Sequence, residues 1–405
     1  MFILGEVLLL IMLIIEYKRY KTIITPFCLI GGVYCICIPV INLICVSFGF
    51  YPIENMTILF FVFYLSIFFL CSCFVGLFRS KIKNQKYNIK FLAVAMNKEK
   101  IIFFIFLIGL SCYTISLFEV IAKFGINYTK SNSFGLFAHV GMLTRATCPF
   151  ILLYYYKNKK KKYLVFFAIF IIEMIIFQNK YPLFITLLSS ILLILLIKKE
   201  INLKKVLLIC LGLFLLAMLA FIFVYSIIPA ILNGGLNSKS FGSSINFSIN
   251  HFFYYLFSPF IAANTYFSNP LFLGITNGLK TVLNPFDTLL QYFFGSKNYF
   301  SPVIILRPVI ESTGKETNVG GLFSESVYNI GFGGAALYVF IIALVTYIFY
   351  LQYYNKRKFT VTNAYLLSIV ALSFFCNQYS ILTNIETLVY LIIIEETIIN
   401  KKYLF

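Results

Sequence analysis

Arginine is scarce in this chain, and two of its five copies sit outside the basic clusters where lysine otherwise serves. Arg19, Arg79 and Arg357 belong to basic clusters between apolar runs, where any cation suffices. Arg145 lies inside an apolar run and Arg307 in a long, more polar segment. The planar guanidinium fork grips phosphate or carboxylate through two parallel hydrogen bonds, which the point charge of lysine cannot do. The chemistry this suggests is stabilisation of a negative charge, such as a phosphate leaving group. The plainer alternative is an ion pair: Arg145 with Glu119 or Glu173, and Arg307 with Glu311 one turn on. Proton chemistry would fall to Glu325, Glu311, Glu316 or Asp287, any of which serves equally as a solvated surface charge. His251 opens the aromatic run HFFYYLFSPFIA and could serve as a general base, although a lone histidine of this kind more often simply packs. His139 is the weaker of the two histidines. Lys180 and Lys280 add positive charge to the same set.

Other chemistries find little footing. No HExxH, GxSxG, Walker-type or GxGxxG pattern occurs, which removes the sequence case for zinc proteolysis, serine hydrolysis, ATP hydrolysis or dinucleotide binding. The ten cysteines lie in apolar runs without a CxxC, as small packing residues do. With one aspartate and no carboxylate cluster, neither a metal nor any other cofactor is called for.

The elements that must position these residues are membrane helices. Hydrophobic residues make up 61% of 405, and charged ones 12%, half of what a soluble domain carries. Apolar runs of spanning length recur at 2–15, 23–46, 57–78, 101–122, 136–156, 163–178, 181–197, 206–228, 332–352, 362–380 and 382–399. The expected fold is therefore an all-α polytopic membrane protein. It has about eleven transmembrane helices and one long outer-face loop carrying interfacial helices. In segments, helices one to eight occupy 1–228, the loop 229–330 and helices nine to eleven 331–405. Most of the 33 basic residues fall in alternate connections, after runs one, three, five, seven, nine and eleven. By the positive-inside rule those connections are cytosolic, the N-terminus is outside and the C-terminus is in the cytosol. The same alternation accounts for the net charge of +19 without nucleic acid.

Between 229 and 330, Gly234-Gly235 and Ser243-Ser244 read as loop, and 251–262 and 282–294 as interfacial helices. Glu6, Glu119, Glu173, Asn377, Gln378, Asn384 and Glu386 all fall at outer ends of spans, and Glu395 and Glu396 near a cytosolic end. A transporter would place such groups near the midplane, within two related repeats.

The loop closes with Gly320-Gly321-Leu-Phe-Ser-Glu325-Ser-Val-Tyr328-Asn329-Ile-Gly331-Phe-Gly333-Gly334. This resembles the segment entering a late span of the O-antigen repeat-unit polymerases, in which an acidic residue precedes Tyr-x-Asn/Asp-Phe-Gly. Ile330 stands here in the usual aromatic place. The run Asn179-Lys180-Tyr-Pro-Leu-Phe is similar to that family's mid-chain outer turn. The resemblance implies a glycosyltransferase of the bacterial inner membrane, working on its outer face for lipopolysaccharide synthesis. Its substrates would be polyprenyl-diphosphate-linked oligosaccharides in the bilayer, delivered by a flippase, with a chain-length regulator as a further partner. Arg307 and Arg145 would meet the diphosphate with Lys180 and Lys280 as auxiliaries. Glu325 or His251 would orient or deprotonate the acceptor hydroxyl, with Tyr328 and Asn329 beside the substrate. The rival expectations are an O-antigen ligase and a lipid-linked-oligosaccharide flippase.

Overall fold

The structure, a computed structural model, describes residues 2–79, 85–125, 135–177, 180–198, 238–265, 307–310 and 314–400, with scattered positions between 208 and 227. In chain order its helices are α1 (Phe2–Tyr20), α2 (Pro26–Leu43), α3 (Asn55–Gly76), α4 (Gln85–Asn97), α5 (Glu99–Phe124) and α6 (Leu136–Asn158). They continue as α7 (Lys161–Ile176), α8 (Lys180–Ile197), α9 (Ser238–Ala262), α10 (Gly321–Lys356), α11 (Thr360–Leu372) and α12 (Leu382–Ile394). A hairpin of β1 (Arg307–Ile310) and β2 (Lys315–Thr317) precedes α10.

Five of these helices, α2, α3, α5, α6 and α10, are long and apolar enough to cross a membrane. The fold is that of a helical membrane protein. Ile36, Phe63, Leu70, Phe104, Phe118 and Leu337 point outward and are exposed, as on helix faces that meet acyl chains rather than water.

Local sequence explains the ends and the close contacts. Thr25 caps α2 by accepting the Cys28 N–H at 3.1 Å, and Pro26 follows it where a missing N–H costs nothing. Helices α5 and α6 approach through glycine. A Cβ on Gly109 would lie 2.6 Å from the Thr144 backbone nitrogen, and one on Gly141 would crowd Tyr113. Helix α10 breaks at Gly331, where φ 69 and ψ 174 suit only a residue without a side chain.

The polar chemistry separates to two ends. At one, Arg79 lies over the rings of Tyr20 and Tyr354, Asn355 donates to the Phe78 carbonyl, and Lys160 pairs with Glu99 at 3.6 Å. Lys157, Lys159 and Lys198 gather on Tyr156 at that same end. At the other end meet the hairpin, the 45–54 connection and the turn between α11 and α12.

Several expectations are corrected. The tenth run, read as 362–380, is helical only to Leu372, because the polar Ser373–Ser380 stretch folds into a turn with a 3₁₀ segment at Gln378–Ser380. The basic connection after α3 contains helix α4, whose Phe91 and Ala95 are buried. The stretch holding Ser243-Ser244 is helical, since α9 begins at Ser238. The hairpin adds β-structure to an expectation of helices alone. The 282–294 helix, Gly234-Gly235 and much of 206–228 lie outside the described residues.

Candidate functional site

Arg307 opens β1, and the pleat decides where it goes. Successive side chains alternate, so Arg307 and Val309 are buried while Pro308 faces out. The strand is clamped on both edges. Arg307 pairs with Thr317 of β2, while Phe50 bridges Ile310 and the Tyr51 N–H donates to the Val309 carbonyl at 3.1 Å. Helix α9 supports β2 from below. The Tyr254 hydroxyl donates to the Glu316 carbonyl, the Lys315 ammonium sits 4.1 Å from the Tyr254 ring, and Thr317 donates to Ser258 at 3.2 Å.

The Arg307 side chain is 8% exposed, with its guanidinium 5.2 Å from the centre of the Tyr328 ring. Burial lowers its pKa from the ordinary value; the charge of Glu325 and the neighbouring Tyr328 oppose that drop. Among the described residues the guanidinium donates no hydrogen bond, so its fork is unspent. Gly320 makes the placement possible, since a Cβ there would lie 2.5 Å from Nη1.

Glu325 sits in the first turns of α10 and is fixed by backbone. Its Oε2 accepts the Asn377 N–H at 2.9 Å, and the carboxylate also takes the N–H of Gly320. One turn on, Asn329 donates from Nδ2 to the Glu325 carbonyl at 2.8 Å, leaving a buried Oδ1 without a partner among the described residues. The start of α10 is itself pinned to the α11–α12 turn. Gly321 donates to the Phe375 carbonyl at 3.2 Å and Leu322 to that of Ser373 at 2.8 Å. At φ +72, with a Cβ position 2.5 Å from the Phe374 carbonyl oxygen, Gly321 admits no other residue without strain.

The same turn reaches the second arginine. Beyond Asn377, the Gln378 carbonyl and Oε1 accept Asn384 Nδ2 at 2.9 and 3.0 Å, and Asn384 Oδ1 accepts Arg145 Nη2 at 3.0 Å. Arg145 Nη2 also meets the Tyr365 hydroxyl at 3.2 Å, and Nη1 the Thr383 carbonyl at 3.5 Å. It is 1% exposed. The expected pairing with Glu119 or Glu173 does not form. On α6 the neighbouring Thr144 packs against Gly109 of α5, so Arg145, about 100° further round the helix, faces α11 and α12. Glu119 is exposed, and Glu173 accepts the Thr114 hydroxyl at 2.6 Å instead.

The structure thus brings Arg307, Glu325, Tyr328 and Asn329 together and links them through one turn to Arg145. It places His251 on α9, within an aromatic group of Phe221, Phe247 and Tyr255, its ring 4.5 Å from that of Tyr255. Lys180 begins α8 with its side chain outside the described residues, as are Lys280, Glu311 and Asp287 entirely. Among the described residues no three His, Cys, Asp or Glu side chains converge as a metal site requires.

Three polar groupings escaped the sequence reading. His139 Nδ1 and Glu386 Oε1 are 2.6 Å apart across 247 positions, a separation no local pattern reports. Glu16, one residue past the first run as read, is buried in α1 and accepts hydroxyls from Ser72 and Tyr347. Glu395 accepts the N–H groups of Val361 at 3.0 Å and Thr362 at 2.7 Å, capping α11 from a neighbouring helix. For Glu16 the hint was the apolar run that it ends; for the other two the sequence offered only acids near the ends of apolar runs.

Fold and site together define a class: a helical membrane protein that holds, at its less basic end, a buried arginine whose guanidinium donates no hydrogen bond among the described residues. Compared with family models, curated proteins and solved structures, the chain matches none.

Proposed function

We propose that this protein is a glycosyltransferase of the bacterial inner membrane that polymerises polyprenyl-diphosphate-linked oligosaccharide repeat units on the outer face. In this reading about eleven helices cross the bilayer, with the N-terminus outside, and the end holding Arg307 faces outward. The observation that carries the reading is Arg307 itself. A guanidinium buried at 8% exposure with no hydrogen-bond partner among the described residues is poised for an anion that arrives with substrate. It is held by Gly320, Glu325 and Tyr328, residues of the motif on which the resemblance rests.

In the transfer, the acceptor hydroxyl oxygen forms a bond to the anomeric carbon of the donor. The bond from that carbon to the diphosphate oxygen breaks, and its electron pair leaves with the diphosphate. Arg307 stabilises the charge that builds on that oxygen. Glu325, fixed by two backbone N–H groups, takes the acceptor proton. Arg145 already spends its fork on Thr383, Tyr365 and Asn384, so its part is to brace the turn that holds Glu325. Tyr328 and Asn329 complete the wall.

The test is a gel of surface lipopolysaccharide from a strain lacking the gene, beside an assay of lipid-linked glycan. Core capped with a single repeat and no ladder is the expected result. Uncapped core sinks the reading: long lipid-linked polymer behind it means a ligase, and single units trapped inside mean a flippase.

A further inference from the structure

The opposite face of the strand that carries Arg307 borders a second feature. A pocket of about 230 Å³ opens there, lined by Tyr51, Pro52, Glu54, Ile261, Asn264, Thr265 and Pro308. Because side chains alternate along β1, Pro308 belongs to this pocket while Arg307 turns away from it. Three segments distant in sequence form its walls, and they are cross-tied. Asn264 Oδ1 accepts the Glu54 N–H at 3.1 Å, and its Nδ2 donates to the Pro52 carbonyl at 2.7 Å. Asn42 locks the same connection by exchanging two hydrogen bonds with the backbone of Ile53, and Tyr51 N–H holds Val309. A pocket tied in this way exists before any ligand arrives, which lowers the cost of binding.

Its chemistry is mixed in a specific manner. Tyr51, Pro52, Pro308 and Ile261 give aromatic and aliphatic walls, while Thr265 contributes a hydroxyl. Glu54 is exposed, and among the described residues its carboxylate makes neither a hydrogen bond nor an ion pair. With no cation beside it among the described residues, the Glu54 carboxylate repels phosphate, which argues against a second diphosphate site. It does accept hydrogen bonds from paired hydroxyls, since each oxygen offers two lone pairs. The electron-rich face of Tyr51 suits the weakly positive C–H face of a pyranose ring. Flat apolar walls beside an acceptor-only polar group are what a neutral sugar needs and an anion or a lipid tail does not.

We infer that the Tyr51–Glu54–Pro308 pocket is a binding subsite for a neutral pyranose. Resting on the transferase reading above, it holds a sugar of the lipid-linked glycan while Arg307, on the other face of β1, attends to the diphosphate.

The experiment uses the full chain in lipid nanodiscs. Saturation-transfer NMR and titration calorimetry would be run with a panel of methyl pyranosides of gluco, galacto, manno and N-acetylamino type, and separately with inorganic pyrophosphate. At least one glycoside should bind, through one face of its ring. Glu54→Gln should weaken it about tenfold, because a hydrogen bond to a charged group becomes one to a neutral amide. Tyr51→Leu should weaken it further, and both variants should bind pyrophosphate as the parent does. Overturning results are that no glycoside in the panel binds, or that binding survives both substitutions unchanged. Glu54 is exposed and its backbone ties remain in the variant, so loss there does not reduce to misfolding. Sugar binding with an unchanged lipopolysaccharide ladder in the gene deletion would leave the subsite standing and remove the polymerase reading. The reverse pattern would remove the subsite alone.

Discussion

Replacing Gly320 by alanine separates the position of Arg307 from the stability of the fold. The backbone at Gly320 has φ −136 and ψ −8, outside the left-handed region that demands glycine, so the substitution carries no positive-φ penalty. The new methyl would lie 2.5 Å from Arg307 Nη1, whereas carbon and nitrogen rest in contact at roughly 3.5 Å, and 3.3 Å from Glu325 Cγ, a much smaller encroachment. The guanidinium must retreat by about 1 Å, and it can, being the free end of a flexible side chain. A displacement of about 1 Å at a reacting centre costs on the order of 100-fold in rate. The expected result is a polymerisation rate down about 100-fold. Thermal unfolding in detergent should stay level, or rise slightly because alanine narrows the unfolded ensemble. Gly321→Ala supplies the contrast, since φ +72 and the Phe374 carbonyl at 2.5 Å make it a folding lesion of about 1–3 kcal/mol. Full polymer length from Gly320→Ala, in membranes holding normal amounts of protein, would refute the assignment of diphosphate binding to Arg307. So would a loss of stability matching that of Gly321→Ala.

The two arginines should part company in the same assays. Arg307→Ala should abolish polymerisation, and at matched amounts of folded protein the loss of activity should exceed any loss of stability from the Tyr328 and Glu325 contacts given up. Arg145→Ala should instead lower stability by about 1–3 kcal/mol, because Asn384 Oδ1 loses a charged donor and the Tyr365 hydroxyl loses its guanidinium neighbour. Its activity should fall with the amount of folded protein and be partly recovered by lower temperature. Glu395→Ala should cost about 1–3 kcal/mol through two uncapped N–H groups at the start of α11, with activity per folded molecule retained.

How much of this was legible in advance follows from the range of each signal. Spanning helices are written in about 20 consecutive residues, so α2, α3, α5, α6 and α10 declare themselves. The rarity of arginine marked Arg307 and Arg145, and the Glu325–Gly334 motif marked the approach to a late span, although 321–330, read as the end of the loop, is already helical in α10. What sequence could not convey is which way a residue turns. Arg145 and Thr144 are neighbours in sequence, yet one faces Asn384 and the other Gly109, and only the packing of α5 on α6 decides it. The His139–Glu386 contact and the Tyr51–Glu54–Pro308 pocket are assembled from segments hundreds of residues apart, with no periodic trace in any of them. The hairpin was hidden for another reason. Its strands are four and three residues long, below the length at which alternation stands out from chance.

One short stretch, 373–386, explains why these scattered residues act together. Its carbonyls at Ser373 and Phe375 receive the first turn of α10, its Asn377 N–H holds Glu325, and its Asn384 meets Arg145. Glu386 then reaches His139 on α6. A segment read as the end of one span and the start of another is therefore the common wall of the polar end. Nearly every one of its contacts uses backbone or amide groups, which do not titrate. Among the partners this stretch holds are the ionisable ones, Glu325, Arg145 and His139, so the turn fixes where the charges of the polar end sit. Substitutions within 373–386 that preserve these amide contacts should leave the site intact, whereas Asn384→Ala should reproduce the loss of stability expected of Arg145→Ala without adding to it. That non-additivity, read by a double-mutant cycle on unfolding, is the signature of residues acting within one hydrogen-bonded network.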